Sequence, residues 1–119
     1  MPDQSPASNS SAALVEQIAE QALEKKAEGV ISLDLIELTS LTDYFVICSA
    51  NTEPQIKAIC DNIRKGTIYK PWHIEGYGKL HWVLIDYIDV VVHVFRTTER
   101  EYYNLEKLWA DAPRMEFTD

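Results

Sequence analysis

Two carboxylates, Asp86 and Asp89, bracket a predicted hairpin turn. A pair so placed could hold a metal ion or divide the acid and base steps of a reaction. The same residues also suit the turn itself, because Asp side chains accept hydrogen bonds from nearby backbone amides, and the turn role is the stronger of the two. His93 stands mid-strand between Val92 and Val94 with no His or Cys at ligand spacing, which favours a hydrogen-bonded structural His over a base or ligand. Ser49 follows Cys48 at a strand end, but nothing like G-x-S-x-G surrounds it. Glycines at 29, 66, 76 and 78 are too scattered for a phosphate loop. The aromatic pair Trp82 and Tyr87 is more informative. By parity the two stand on opposite faces of one strand, so one of those faces could stay outside the core. An exposed ring beside acids is what a protein interface uses as anchor and rim, although both rings could equally be core residues.

The elements that position these residues follow from periodicity. Leu14, Val15, Ile18, Ala22 and Leu23 recur at helical spacing opposite Glu16, Glu20 and Glu24. They predict a helix over about Ser11–Glu28, with Gly29 at the positive-φ position past its end. Val30–Leu38 predicts a strand with Ile31, Leu33 and Leu35 on one face, followed by a turn at Thr39–Thr42. Tyr44–Cys48 is apolar throughout and predicts an inner strand, antiparallel to the first. Thr52 and Gln55 make a capping box ahead of Ile56, Ile59, Cys60 and Ile63, with Gly66 as the stop. A short strand is expected near Trp72–Glu75, then a hairpin of Leu80–Tyr87 and Asp89–Phe95. On it Trp82, Leu84 and Asp86 share one face. Thr98 and Glu101 form a second capping box, opening a helix with Tyr102, Leu105 and Trp109 on one side and Pro113 at its end. Residues 1–10 and 113–119 are expected as tails around a single domain, 11–112. The predicted class is α/β, a mixed five-stranded sheet flanked by helices.

A chain of 119 residues with 46% hydrophobic content suits one packed core. Its net charge of −8 argues against binding held mainly by phosphate contacts, and no sequence-specific nucleic-acid binding is expected. It suits a basic protein partner, or serves solubility alone. Cys48 and Cys60 form no C-x-x-C pair and are expected as reduced thiols, consistent with a cytoplasmic protein. No apolar run reaches the ~18–20 residues of a membrane span, and the polar N-terminus is unlike a secretory signal. No cofactor is implied.

Several blocks in order resemble the Iojap-related ribosomal silencing factor (RsfS) family. Thr42-Asp43-Tyr44-Phe45-Val46-Ile47-Cys48-Ser49 is similar to its Thr-Asp block, Gln55–Asn62 to its second-helix segment, and Glu75-Gly76 to its Glu-Gly step. Trp82-Val83-Leu84-Ile85-Asp86 followed by Asp89–Phe95 resembles its hairpin. Arg100, Tyr102 or Tyr103, and Leu105-Glu106-Lys107-Leu108-Trp109 resemble its terminal helix. The match runs from about Leu14 to Trp109. It implies a nucleotidyltransferase-like fold without that enzyme activity, since the glycine-serine turn and D-x-D pair are missing. It also implies docking on the large ribosomal subunit through ribosomal protein uL-fourteen, which blocks subunit joining and represses translation when nutrients are short, with a role in large-subunit assembly in related proteins. Partner-binding positions implied by the match are Trp82 and Val83 as anchors, with Asp86, Tyr87, Asp89 and His93 nearby. Asp43, Glu75 and Arg100 match too, where structural roles are as well supported. Self-association as a homodimer stays open, and a nucleotide-handling enzyme of related fold is the alternative function class. One departure stands out: Ile88 occupies a position where the family commonly has Gly. Either the turn changes geometry or Ile88 accepts a strained positive φ.

Overall fold

The computed structural model describes residues 7–119. Strands β1 (Glu28–Asp34), β2 (Tyr44–Ala50), β3 (His73–Glu75), β4 (Trp82–Asp86), β5 (Val90–Arg96) and β6 (Arg114–Glu116) form one sheet in the order β3-β4-β5-β2-β1-β6. β2 and β5 are parallel, and every other neighbouring pair is antiparallel. Helices α1 (Ala7–Glu24) and α2 (Glu53–Gly66) pack together on one face, while α3 (Thr97–Tyr103) and the single turn α4 (Leu105–Leu108) follow β5. The mixed α/β sheet is as expected, with six strands rather than five among the described residues.

β2 is apolar at consecutive positions because both its faces are covered. Val46, Cys48 and Ala50 join the core under α1 and α2, whereas Ile47 joins a second, smaller cluster with Ile31, Leu33, Leu35 and Phe95 on the far side. In α2 the stripe Ile56, Ile59, Cys60 and Ile63 is fully buried. Each of those isoleucines contributes about 2 kcal/mol relative to exposure. Cys48 and Cys60 are free and buried, and burial pushes each thiol up to about 12, leaving them protonated and unreactive.

Half of the first capping box forms. Thr52 Oγ1 accepts from the Gln55 amide at 3.3 Å, but the Gln55 side chain turns away to donate to the Lys26 carbonyl at 3.0 Å. It thereby satisfies a carbonyl just past the end of α1. Gly29 is not the residue that ends α1: Lys26 takes the left-handed conformation there, at φ 65°. Gly29, at φ 57°, sits instead at a register shift in β1, where a Cβ would lie 2.7 Å from Arg100 Nη1. That guanidinium donates to the Glu28 carbonyl and Ser49 Oγ and pairs with Glu106 at 2.9 Å, so Arg100 ties α3 to the end of the β1–β2 pair, where Glu28 and Ser49 face each other.

Three expectations change. The second capping box does not form, because Thr98 Oγ1 donates to the Glu99 carboxylate and α3 starts without a side-chain cap. The terminal helix is broken at Asn104, whose φ of 48° ends α3 while its side chain accepts from Lys107 N to start α4. The expected C-terminal tail is not loose, since Arg114–Glu116 pairs antiparallel with β1 and covers its edge. At the other end, Ala7–Ser10 already belong to α1, while Met1–Pro6 of the expected tail lie outside the described residues.

Candidate functional site

The sheet face away from α1 and α2 is only partly covered. Leu105 and Trp109 pack over the cluster around Phe95, leaving a depression of about 270 Å³ beside them. β2, β4 and β5 supply its apolar lining through Phe45, Leu84 and Val91, Leu35 adds to it from just past the end of β1, and Trp109 closes one side. Leu41, 85% exposed, lines it from the β1–β2 loop, where Ile36 and Leu38 are also exposed. Asp86 lines the same depression, and Asp34, Glu37 and Asp111 line a second hollow on that loop. Among the described residues, no Lys or Arg lines either one.

His93 and Thr42 give the depression polar capacity. Both are buried, at 4% and 8% exposure, and both line it. His93 Nδ1 accepts from the Trp82 indole N–H at 3.1 Å. Indole nitrogen can only donate, so the neutral imidazole must carry its proton on Nε2. That Nε2–H and Thr42 Oγ1 are the two buried side-chain polar atoms without a hydrogen-bond partner among the described residues. Burial pushes His93 down to about 4, so it is neutral at pH 7.

The residues implied by the family motif divide by parity. Trp82 is partly buried on the open face, stacked on Phe95 at 4.8 Å and touching Tyr103 at 4.7 Å. Asp86 and His93 lie on that same face. Val83 and Tyr87 do not: Val83 is fully buried under the helices, and Tyr87 is in the same core with its hydroxyl 2.9 Å from Thr67 Oγ1. Val83 therefore cannot anchor a partner on this face, and the Tyr87 ring serves the fold. Asp89 is exposed in the turn, where its carbonyl receives the Asp43 and Tyr44 amides. Phe45, Leu84, Val91 and Trp109 were absent from that set. For three of them the signal was parity: Leu84 shares a face with Trp82, and Phe45 and Val91 oppose the buried Val46 and Val92.

The turn resolves the question at Ile88. Asp86 Oδ1 accepts from the Ile88 amide at 2.7 Å, and the Asp89 amide donates to the Tyr87 carbonyl at 3.0 Å. This is a γ-turn centred on Ile88 at φ 75°, the strained variety. The Asp86 carboxylate thus serves the turn, and among the described residues no group of three or more His, Cys, Asp or Glu is placed to hold a metal.

The chain matches the family model described as "Ribosomal silencing factor during starvation" over residues 8–119. It is 47% identical over 106 residues to a ribosomal silencing factor RsfS of Halalkalibacterium halodurans, covering 84% of this chain and 89% of that protein. An RsfS of Bacillus subtilis is 45% identical over 95 residues, 76% of this chain and 79% of the relative. A crystal structure of a Bacillus halodurans protein superposes with a TM-score of 0.77 at 40% identity, covering 89% of this chain and 99% of that one. One from Chromobacterium violaceum gives 0.81 at 29% identity, covering 83% and 85%. Among the described residues no helix is long and apolar enough to cross a membrane. With a family model matched over residues 8–119 and relatives at 45–47% identity, the chain belongs to the RsfS family of ribosomal silencing factors.

Proposed function

We propose that the open sheet face docks a basic protein of the large ribosomal subunit, ribosomal protein uL-fourteen, and that the bound chain keeps the small subunit from joining. In this reading the protein is a non-enzymatic, cytoplasmic repressor of translation. The observation that carries it is the make-up of the depression: an apolar floor at Phe45, Leu84 and Val91, Asp86 at its margin with Asp34, Glu37 and Asp111 in the second hollow, and unpartnered polar atoms on Thr42 and His93. Buried donors left unmade are costly, and a partner offering a carbonyl or hydroxyl beside an apolar side chain would satisfy them. A basic partner would be steered by Asp34, Glu37, Asp86 and Asp89, with the central apolar contact holding it. The surface continues past the depression along Trp82 and Tyr103.

The test is sedimentation. Purified large subunits are incubated with the protein, small subunits are added, and the products are separated on a sucrose gradient. The protein should travel with large subunits and reduce the joined-ribosome peak. Equal co-sedimentation with joined ribosomes would refute the joining block.

A further inference from the structure

One stretch of this acidic chain is basic. Residues 57–81 carry five Lys and Arg against two acids, a local net charge of +3 in a chain of net −8. Arg64, Lys65, Lys70, Trp72 and His73 line a single groove of about 640 Å³ between the end of α2 and β3. Asp61 also lines it, but that carboxylate is already engaged by Lys57 at 2.9 Å and the Tyr77 hydroxyl at 2.7 Å. His73 is paired with Glu75. Among the described residues Arg64, Lys65 and Lys70 form no ion pair. Part of this charge suits the C-terminal end of a helix, where Arg64 and Lys65 stand. That explanation does not reach Lys70, nor the aromatic residues beside it.

Trp72 is 72% exposed, and Ile68 and Tyr69 are exposed with it. Their backbone is nevertheless well held. The Ile68 amide donates to Gln17 Oε1, Thr67 Oγ1 contacts the Ile63 and Tyr69 carbonyls, and the Trp72 amide donates to the Asp86 carbonyl at 2.8 Å. The backbone that carries these rings is therefore ordered before binding while the rings stay exposed, which lowers the ordering cost of binding. Arg64 lies over the Tyr77 ring at 5.8 Å, which leaves Lys65 and Lys70 as the freer cations of the groove. An exposed indole beside such cations is the pairing by which proteins hold single-stranded nucleic acid: bases stack on the ring and phosphates meet the cations. The bond from Trp72 to Asp86 also places this groove one strand from the acidic docking face.

We infer that the groove between α2 and β3 is a second contact site, one that takes looped or single-stranded RNA by stacking a base on Trp72 and pairing phosphates with Arg64, Lys65 and Lys70. The choice of RNA over an acidic peptide or an anionic membrane rests on the proposed ribosomal function, because a surface joining an acid-rimmed face to a basic, aromatic groove fits a particle of basic protein and RNA. The rest of the chain repels phosphate, so this contact is weak alone and adds to the protein contact through proximity.

The test uses the full chain and a fluorescently labelled single-stranded RNA of about 12 nucleotides at about 50 mM salt, where phosphate contacts are strong. The expected results are saturable anisotropy with quenching of Trp fluorescence, and affinity that falls with salt. Trp72→Ala should weaken binding ~10-fold with the salt slope unchanged, as loss of one stacked base does. Lys65→Gln with Lys70→Gln should weaken binding and flatten the slope by about 1.4, two phosphates' worth. Unchanged melting temperatures would confirm that these variants act on binding. Binding of RNA with full affinity by all variants would overturn the inference, as would preference for poly-glutamate or for phosphatidylserine vesicles over RNA. A parallel measurement with the purified ribosomal protein separates the two readings. Loss of RNA binding with that contact intact in the variants supports the groove as a separate site. Failure of the parent chain to bind RNA while it binds the protein sinks this inference alone, and the converse sinks only the docking proposal.

Discussion

The indole N–H of Trp82 donates to Nδ1 of His93 across 3.1 Å, joining neighbouring strands β4 and β5 on the open face of the sheet. The bond fixes the imidazole tautomer and spends the polar end of Trp82 inside the protein. Trp82→Phe preserves a ring to stack on Phe95 but leaves a buried acceptor without its donor, which costs ~1–3 kcal/mol. Trp82→Ala also removes the ring and should cost ~3 kcal/mol or more. Urea unfolding of both variants measures this; a Trp82→Phe protein as stable as its parent would show that the bond contributes nothing.

His93 makes stability depend on pH. Its folded value is pushed down to about 4 from an ordinary 6.5 by burial. Between those values the unfolded chain binds the proton and the folded chain does not, so stability falls as pH drops from 6.5 to about 4 and is unaffected by this group above that window. The loss across the window is about 3 kcal/mol. Carboxylates titrate nearby: burial works against the charge on Glu106, but Arg100 and Arg114 hold it below the usual range. The quantity to measure is therefore the difference in unfolding free energy between the parent and His93→Gln at pH 7 and pH 4.5. The parent should lose more; parallel losses would mean His93 is protonated in the fold.

Much of this arrangement was legible from pattern because it depends on local periodicity. The all-apolar run Tyr44–Cys48 meant an inner strand, and the Ile56, Ile59, Cys60, Ile63 stripe meant a helix against it. What stayed hidden depends on contacts between distant segments. Arg114–Glu116 carries no strand signal of its own and pairs because β1 leaves an edge open. Val83 and Trp82 are adjacent in the motif and so looked like one anchor, although alternation sends them to opposite sides. The groove lined by Lys65, Lys70 and Trp72 comes from the end of a helix, a loop and an edge strand, and net charge averaged over the chain conceals it.

Ile88 holds a γ-turn at φ 75° with 57% of its surface exposed. A β-branched residue there costs ~1–2 kcal/mol, and little burial offsets it. Ile88→Gly should stabilise the fold by about 1 kcal/mol after the entropy that glycine loses on folding. A rise of several degrees in melting temperature is expected. A fall would mean that the exposed side chain supports the hairpin by contacts outweighing its strain.

Removing residues 114–119 should expose the edge of β1. The strand β6 pairs with Ile31, Ser32 and Leu33, and Arg114 pairs with Glu106 at 3.1 Å. An uncovered edge is a template for pairing with another chain. The shortened protein should melt earlier and self-associate with rising concentration, read by light scattering. A monomer of unchanged stability would show that β6 neither stabilises nor protects the sheet.

The proposed docking face offers two variants that would act on different steps of binding. Leu41 lines the depression yet is 85% exposed, so Leu41→Ala removes little from the folded state and leaves melting unchanged. If a partner buries that side chain at the centre of its contact, truncation should raise the dissociation rate and weaken affinity about tenfold, since central apolar contacts carry affinity. Asp89 is exposed at the hairpin turn and contributes charge without apolar area. Asp89→Asn should slow association with the proposed basic ribosomal partner, reduce its dependence on salt, and leave dissociation nearly unchanged, because rim charges steer more than they hold. Surface plasmon resonance against the purified ribosomal protein at two salt concentrations separates the two effects. Both variants binding as the parent does, with folding intact, would move the docking site off this face.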